Sequence, residues 1–147
     1  MATLQEIQSM WEKDSEIDEL NLTTESLRIP KLHSKYLNML TSYRLNKRKI
    51  ESDLLRILRN KYRYYRGEMS REELIENGWD QYLGPKLLKS DINSTIESDD
   101  DIIKLNDRLE YINTIIYQLE SILKSINTRS FDIKNAIDYM RWTNGST

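Results

Sequence analysis

The chain has 147 residues, with 22 Lys and Arg, 24 Asp and Glu, one His and no cysteine, for a formal charge of −2. That length suits one domain, or one domain with a loose insert, and the lack of cysteine removes disulfide frameworks, thiolate metal sites and thiol nucleophiles. No apolar run approaches membrane-spanning length, the N-terminal stretch has no apolar signal core, and 38% hydrophobic residues beside 31% charged ones favour long helices sharing an interface; the absence of cysteine fits a cytoplasmic setting.

In chain order, Thr3 and Glu6 give the Thr-x-x-Glu pattern of a capping box. Leu4, Ile7, Trp11 and Ile17 mark one face of a first helix, and Glu12, Asp14, Glu16, Asp18 and Glu19 another. An ordinary amphipathic helix packed on its neighbours accounts for this; the alternative is an acidic surface for a basic protein. Asn21 to Pro30 (NLTTESLRIP) reads as a turn-rich connection, with Pro30 near the start of the next helix.

That helix is predicted over about Pro30–Arg66, with Gly67 placed to end it. Tyr36, Leu40, Tyr43, Lys47, Ile50, Leu54, Ile57, Lys61 and Tyr64 alternate at steps of four and three, an apolar seam with two lysines set into it. Beside it run Arg44, Arg48, Ser52, Arg56, Arg59, Arg63 and Arg66, one turn apart. Between Tyr43 and Arg71 ten bases meet three acids (Glu51, Asp53 and Glu68), a balance of +7, while the rest of the chain stands at −9. Tyr62, Tyr64 and Tyr65 interleave with Arg59, Lys61, Arg63 and Arg66. Guanidinium groups fork onto phosphate oxygens and aromatic faces stack on unpaired bases, so a single-stranded polyanion fits this element. The competing reading is a solvated basic face with half-buried tyrosines. His33, with no second histidine or cysteine, is expected to be structural.

Gly67 to Asp101 shows no sustained period and is expected to be an irregular arm or mobile loop, with a short helix possible at Glu72–Ile75. Trp79, Tyr82 and Leu83 are expected to anchor it to a helix, the alternative being contact with nucleic acid. Glu97, Asp99, Asp100 and Asp101 are assigned to the dipole of the following helix and not to a metal. Ile102, Leu105, Leu109, Ile112, Ile116, Leu119, Leu123 and Ile126 then alternate at steps of three and four, broadened by Ile103, Ile115 and Ile122. So wide a seam suggests more than one neighbour, within the chain or between chains. Asn127 to Ser130 is expected to interrupt, with Thr128 or Ser130 as a cap. Phe131, Ile133, Ile137 and Met140 mark a last short helix, and Trp142 to Thr147 is expected to fray.

No Gly-rich phosphate loop, nucleophile–base pair or zinc spacing is present, so no catalytic, metal or cofactor site is assigned. From about Leu32 to Arg141 the chain resembles the UvsY family of recombination mediators of tailed phages. The resemblance rests on Ser34-Lys35-Tyr36-Leu37-Asn38, on Leu58 to Gly67 (LRNKYRYYRG), and on Arg129, Ser130, Phe131, Ile133, Lys134 and Met140-Arg141 in order. It implies a non-enzymatic protein that binds single-stranded DNA and forms homo-oligomeric rings, heptamers in the best known case. It also implies loading of a RecA-like recombinase onto DNA coated by single-strand-binding protein, in a host cell's cytoplasm. The family's basic pair for DNA binding falls on Arg59 and Lys61, with the Lys-then-Arg order exchanged. The segment around Ile75 is longer than the family pattern, and nothing is carried over there.

The fold expected is all-α: an elongated protomer with two long helices, Pro30–Arg66 and Asp101–Ile126, packing antiparallel and assembling into a ring. Its segments are 1–66 (first helix and basic helix), 67–101 (arm) and 102–147 (assembly helices). The DNA-binding residues expected are Arg59 and Lys61, supported by Arg56, Arg63, Arg66, Arg48 and Arg44, with Tyr64 and Tyr65 stacking on bases. The oligomerisation residues expected are Ile112, Ile116, Leu119, Leu123, Ile126, Phe131, Ile133, Ile137 and Met140. The rival function is an adaptor whose basic stripe meets an acidic protein partner.

Overall fold

In the computed structural model, which describes residues 1–145, the capping box is formed: Glu6 N donates to Thr3 Oγ1 at 3.2 Å and Thr3 N to Glu6 Oε2 at 2.8 Å. It opens α1 (Leu4–Asp14), followed by α2 (Leu22–Tyr65), α3 (Arg71–Asn77), α4 (Lys89–Glu97) and α5 (Asp100–Thr143), with no strand among the described residues. The all-α expectation holds, but both long helices are longer than their apolar patterns indicated.

Helix α2 starts at Leu22, so most of the expected connection at 21–30 is helix. Its seam runs back through Leu32, Ile29, Glu25 and Leu22 at steps of three and four. The turn is made just before it, where Asp18 accepts from Leu20 N at 3.0 Å and from Asn21 Nδ2 at 2.6 Å. Pro30 lies inside the helix and deprives the Ser26 carbonyl of its usual donor, which is tolerated because Pro30 is on the exposed face. Helix α5 likewise passes through 127–130 without a break. Thr128 caps nothing; its hydroxyl donates to the Ser125 carbonyl at 3.0 Å within the helix. Arg129 sits three residues after Ile126 and four before Ile133, on the seam itself, and is only 3% exposed. The helix continues to Thr143, past the expected start of fraying at Trp142; Ser146 and Thr147 lie outside the described residues.

Segments 21–30 and 127–130 hold partners. Arg129 Nη2 bonds Glu25 Oε2 at 2.9 Å and the Glu16 carbonyl at 2.9 Å, and Nη1 bonds the Ser15 carbonyl at 3.2 Å. In each segment one charged residue, Glu25 or Arg129, occupies a seam position as one half of a buried ion pair.

The chain forms two compact units, Met1–Leu45 with α5 from Asn113 onward, and Asn46–Ile112, whose boundaries fall inside α2 and α5 and not at 66 and 101. In the first unit, Tyr36, Leu40, Tyr43, Ile115, Leu119, Ile122 and Ile126 are buried with Ile7, and Trp11 meets Tyr36 edge-on at 5.6 Å. The Glu25–Arg129 and Arg44–Glu120 pairs, both at 2.9 Å, run in opposite senses along α2 and α5, as antiparallel neighbours require. In the second unit, Ile92, Ile96 and Ile102 pack on Leu54, Ile57, Leu58, Tyr62 and Tyr65 of α2 and on Leu87. The expected arm is therefore largely ordered. Ser70 caps α3 through Glu73 N at 3.2 Å, and Gly78 ends it at φ 70°, a left-handed conformation glycine adopts without strain. Helix α4 leaves no period in the sequence, because its buried face is only Ile92 and Ile96. Leu83 anchors nothing, being 87% exposed.

The oligomerisation set needs a matching correction. Ile112, Ile116, Leu119, Leu123, Ile126 and Ile133 are buried within the protomer, as are the broadening residues Ile115 and Ile122. The width of the seam is used inside the chain. Ile137 and Met140 are half-buried, and Phe131 is 67% exposed.

Removing one member of a buried ion pair strands the other charge, whereas replacing both with apolar residues is often nearly neutral. Arg129→Ala is expected to cost roughly 3–5 kcal/mol in urea denaturation. Glu25→Leu with Arg129→Met is expected to cost far less; equal losses in the two variants would show that packing, not charge, governs this position.

Candidate nucleic-acid interface

From Asn46 onward α2 belongs to the second unit, and its basic residues divide by face. Arg48, Arg56, Arg59 and Arg66 are exposed. Arg48 reaches Glu51 at 4.0 Å and Arg56 reaches Asp53 at 3.6 Å, solvent-exposed pairs of little energetic weight that leave the guanidinium groups accessible. Arg59 has no ion-pair partner among the described residues. Arg48, Ser52, Arg56 and Arg59 thus form an outward basic face on one unit. Toward the end of the helix the acids close in: Arg63 pairs with Glu73 of α3 at 2.7 Å, and Arg66 with Glu68 at 3.2 Å. Arg44 lies in the first unit, paired with Glu120.

Lys61 points the other way. It is 5% exposed, with its ammonium 2.8 Å from Asp101 Oδ2 and 3.1 Å from Asp99 Oδ2, and 4.1 Å above the Trp79 ring. Burial alone pushes the amine pKa down, but hydrogen bonds and charge from Asp101 and Asp99 outweigh it and hold the group above the ordinary lysine range, fully protonated. The acids at the front of α5 therefore do more than complement a dipole. Asp99 accepts from Tyr65 Oη at 2.7 Å and from Asp101 N at 2.9 Å. Burial pushes its carboxyl up, and the bonds from Tyr65 and Lys61 bring it below the ordinary value of 3.8. Besides the local acids Glu51, Asp53 and Glu68, the acids Glu73, Asp99 and Asp101 come to the basic helix from later in the sequence and neutralise its end.

The tyrosines are committed as well. Tyr64 Oη donates to the Asp80 carbonyl at 2.6 Å, and its ring meets Tyr65 at 5.0 Å and Trp79 at 5.4 Å. Tyr82 sits 5.2 Å from Tyr65 at 80°. Trp79 and Tyr82 do anchor their segment to α2, by edge-to-face contacts that hold both tyrosines half-buried. The inward role of Lys61 had a signal in the sequence: it occupies a seam position, and a charge on a seam requires a counter-charge.

A model of the family described as "Recombination, repair and ssDNA binding protein UvsY" matches residues 10–146. The chain belongs to the UvsY family. It is 27% identical over 135 residues to the recombination protein uvsY of Enterobacteria phage T4, covering 92% of this chain and 93% of that protein. Its fold is similar to crystal structures of the bacteriophage T4 recombination mediator protein UvsY. One form gives a TM-score of 0.83 at 25% identity over 99% of this chain and 100% of that one. A second gives 0.81 at 24% identity over 97% and 99%. Of the two positions expected to hold the DNA-binding pair, Arg59 faces solvent and Lys61 is enclosed.

The Asp99 carboxyl titrates below its unfolded value, so its contribution is fully present above pH 3.8 and is lost as pH falls through the lower folded value. Asp99→Asn is expected to melt at a lower temperature than the parent at neutral pH. That gap should close as the solution is taken below pH 3.8 in a calorimetric series. A gap that stayed constant with pH would remove Asp99 from this role.

Proposed function

We propose that this UvsY-family protein is a recombination mediator. It binds single-stranded DNA through the outward face of α2 and promotes loading of a RecA-like recombinase onto DNA coated by single-strand-binding protein. The observation that carries the reading is the sorting of charge on α2: Lys61 is neutralised inward, while Arg48, Arg56 and Arg59 are held outward with at most weak local partners. Such a face recognises phosphate without reading base edges, as a mediator that acts at any sequence requires. Arg63 and Arg66 lie further along and support it, with their charge shared with Glu73 and Glu68. In this reading the protein works by binding and not by turnover. No helix among the described residues is long and apolar enough to cross a membrane, and the proposed setting is the cytoplasm of a phage host.

Assembly as a ring, a heptamer by family resemblance, is part of the same reading. In the first unit, Phe131, Tyr139 and Trp142 are exposed on one face of α5, while Ile137 and Met140 are half-buried on the other. Three large rings on one face are costly to leave in water, and a copy of the chain covers them. Several basic faces on one particle raise the effective concentration of each further contact with the strand.

Arg56→Ala with Arg59→Ala is expected to weaken binding to a labelled single-stranded oligonucleotide and to reduce the slope of log K against log salt by about 1.4, from about 0.7 per lost phosphate contact. Thermal stability should be unchanged; an unaltered slope would place the strand elsewhere, and no binding by the parent protein at low salt would favour the adaptor reading. Phe131→Asp is expected to shift the assembly toward protomers in sedimentation velocity with helicity intact. Leu119→Asp, at a residue buried in the protomer, should unfold it instead.

A further inference from the structure

The second unit carries a cleft that the basic face does not explain. It has a volume of about 770 Å³ and lies where the end of α2 meets the segment before α4. That is within the range of small-molecule sites, roughly 300–1,000 Å³. Tyr62, Tyr65 and Tyr82 line it together with Arg66, Lys86 and Lys89, and Glu68 is its one acidic residue. Lys86 and Lys89 are exposed and have no ion-pair partner among the described residues.

The aromatic walls are fixed in advance. Tyr65 Oη is held by Asp99, and Tyr82 Oη donates to the Pro85 carbonyl at 3.0 Å, so the two rings keep their edge-to-face angle. Tyr82 can fold back in this way because residue 84 is glycine: a Cβ there would stand 2.5 Å from Tyr82 Oη and 2.6 Å from Cζ. Tyr62 makes no hydrogen bond through its hydroxyl among the described residues, and its ring carries Arg66 at 5.5 Å. On the same wall, α4 begins at Lys89 with Leu88 as an N-cap that offers no side-chain acceptor, which leaves its first amides to other acceptors.

Preset ring faces suit a flat aromatic ligand, and the two unpaired lysines, with Arg66 sharing its charge with Glu68, suit its phosphates. We propose that this cleft receives one base of the bound single strand, with the adjoining phosphates on Lys86, Lys89 and Arg66. The proposal rests on single-strand binding by the neighbouring face of α2, and it adds a contact to the base where that face contacts only the backbone. It makes binding tolerant of sequence but dependent on the presence of bases, since every base has a π-face.

The test compares an oligothymidylate with an abasic strand of equal length and charge, by anisotropy, using the full chain. The parent is expected to bind the base-bearing strand at least about fivefold more tightly. Gly84→Ala puts a Cβ against the Tyr82 ring and displaces it as a rigid unit; the substitution should abolish that preference and leave the abasic affinity, which needs no ring face, unchanged. Lys86→Ala with Lys89→Ala should weaken both strands and lower the salt slope. Photocrosslinking of an iodouracil-substituted strand to the parent protein should label Tyr62, Tyr65 or Tyr82, a readout independent of how any variant folds. Equal affinity for the two strands, or crosslinks only outside the cleft, overturns the proposal. The reading of the α2 face survives that outcome if abasic binding still responds to substitution of Arg56 and Arg59, and fails with the proposal if no strand binds.

Discussion

The first unit depends on a charge that cannot be left alone. Arg129 is buried in the middle of the α5 seam, and Glu25 is the carboxylate that meets it on α2. Burying an unpaired guanidinium would cost several kcal/mol, so the two helices must bring these residues together. The apolar residues around them permit other alignments, because one isoleucine packs much like another. The ion pair does not. A slide of one turn would separate Glu25 from Arg129 and detach the guanidinium from the Ser15 and Glu16 carbonyls, which tie the connection after α1 to the same point. Apolar area supplies most of the drive to pack, and this pair selects the register.

The second unit solves the same problem with the opposite arrangement. The cation is on α2, the carboxylates are at the front of α5, and aromatic rings surround them. Asp99 is shared between an ammonium and a phenol, and Asp101 completes the neutralisation of Lys61. The inward side of α2 is electrically settled, and its outward side keeps its charge. A helix that repelled itself on all sides would be hard to fold; one that is neutral inside and cationic outside can be stable and still attract a polyanion.

The amphipathic pattern made the helical class, the capping box and the heart of both long helices legible. The ends were not legible, for a common reason. Glu25 and Arg129 are charges at seam positions, and a pattern that counts apolar residues treats such positions as breaks; Lys61 could be set on its seam, but not beside its carboxylates. Their partners are far away in sequence, so no local window contains the information. Helix α4 was missed because two isoleucines set no period, and its order comes from packing on Leu54, Ile57 and Leu58. Of the basic residues singled out for DNA, Arg48, Arg56 and Arg59 could be placed outward from their stripe alone. The commitment of Tyr64 and Tyr65 to Asp80 and Asp99 could not be seen without the fold.

The enclosure of Lys61 also bears on how this sequence can drift. Two carboxylates converge on a single nitrogen in a space walled by Trp79 and Tyr64, which suits a compact ammonium better than a planar fork. Position 59 is open to solvent and accepts either cation. The order Arg-then-Lys at these positions therefore depends on Asp99 and Asp101. A lineage that exchanged the two cations would first have to remodel the acids, while position 59 stays free to vary within its charge.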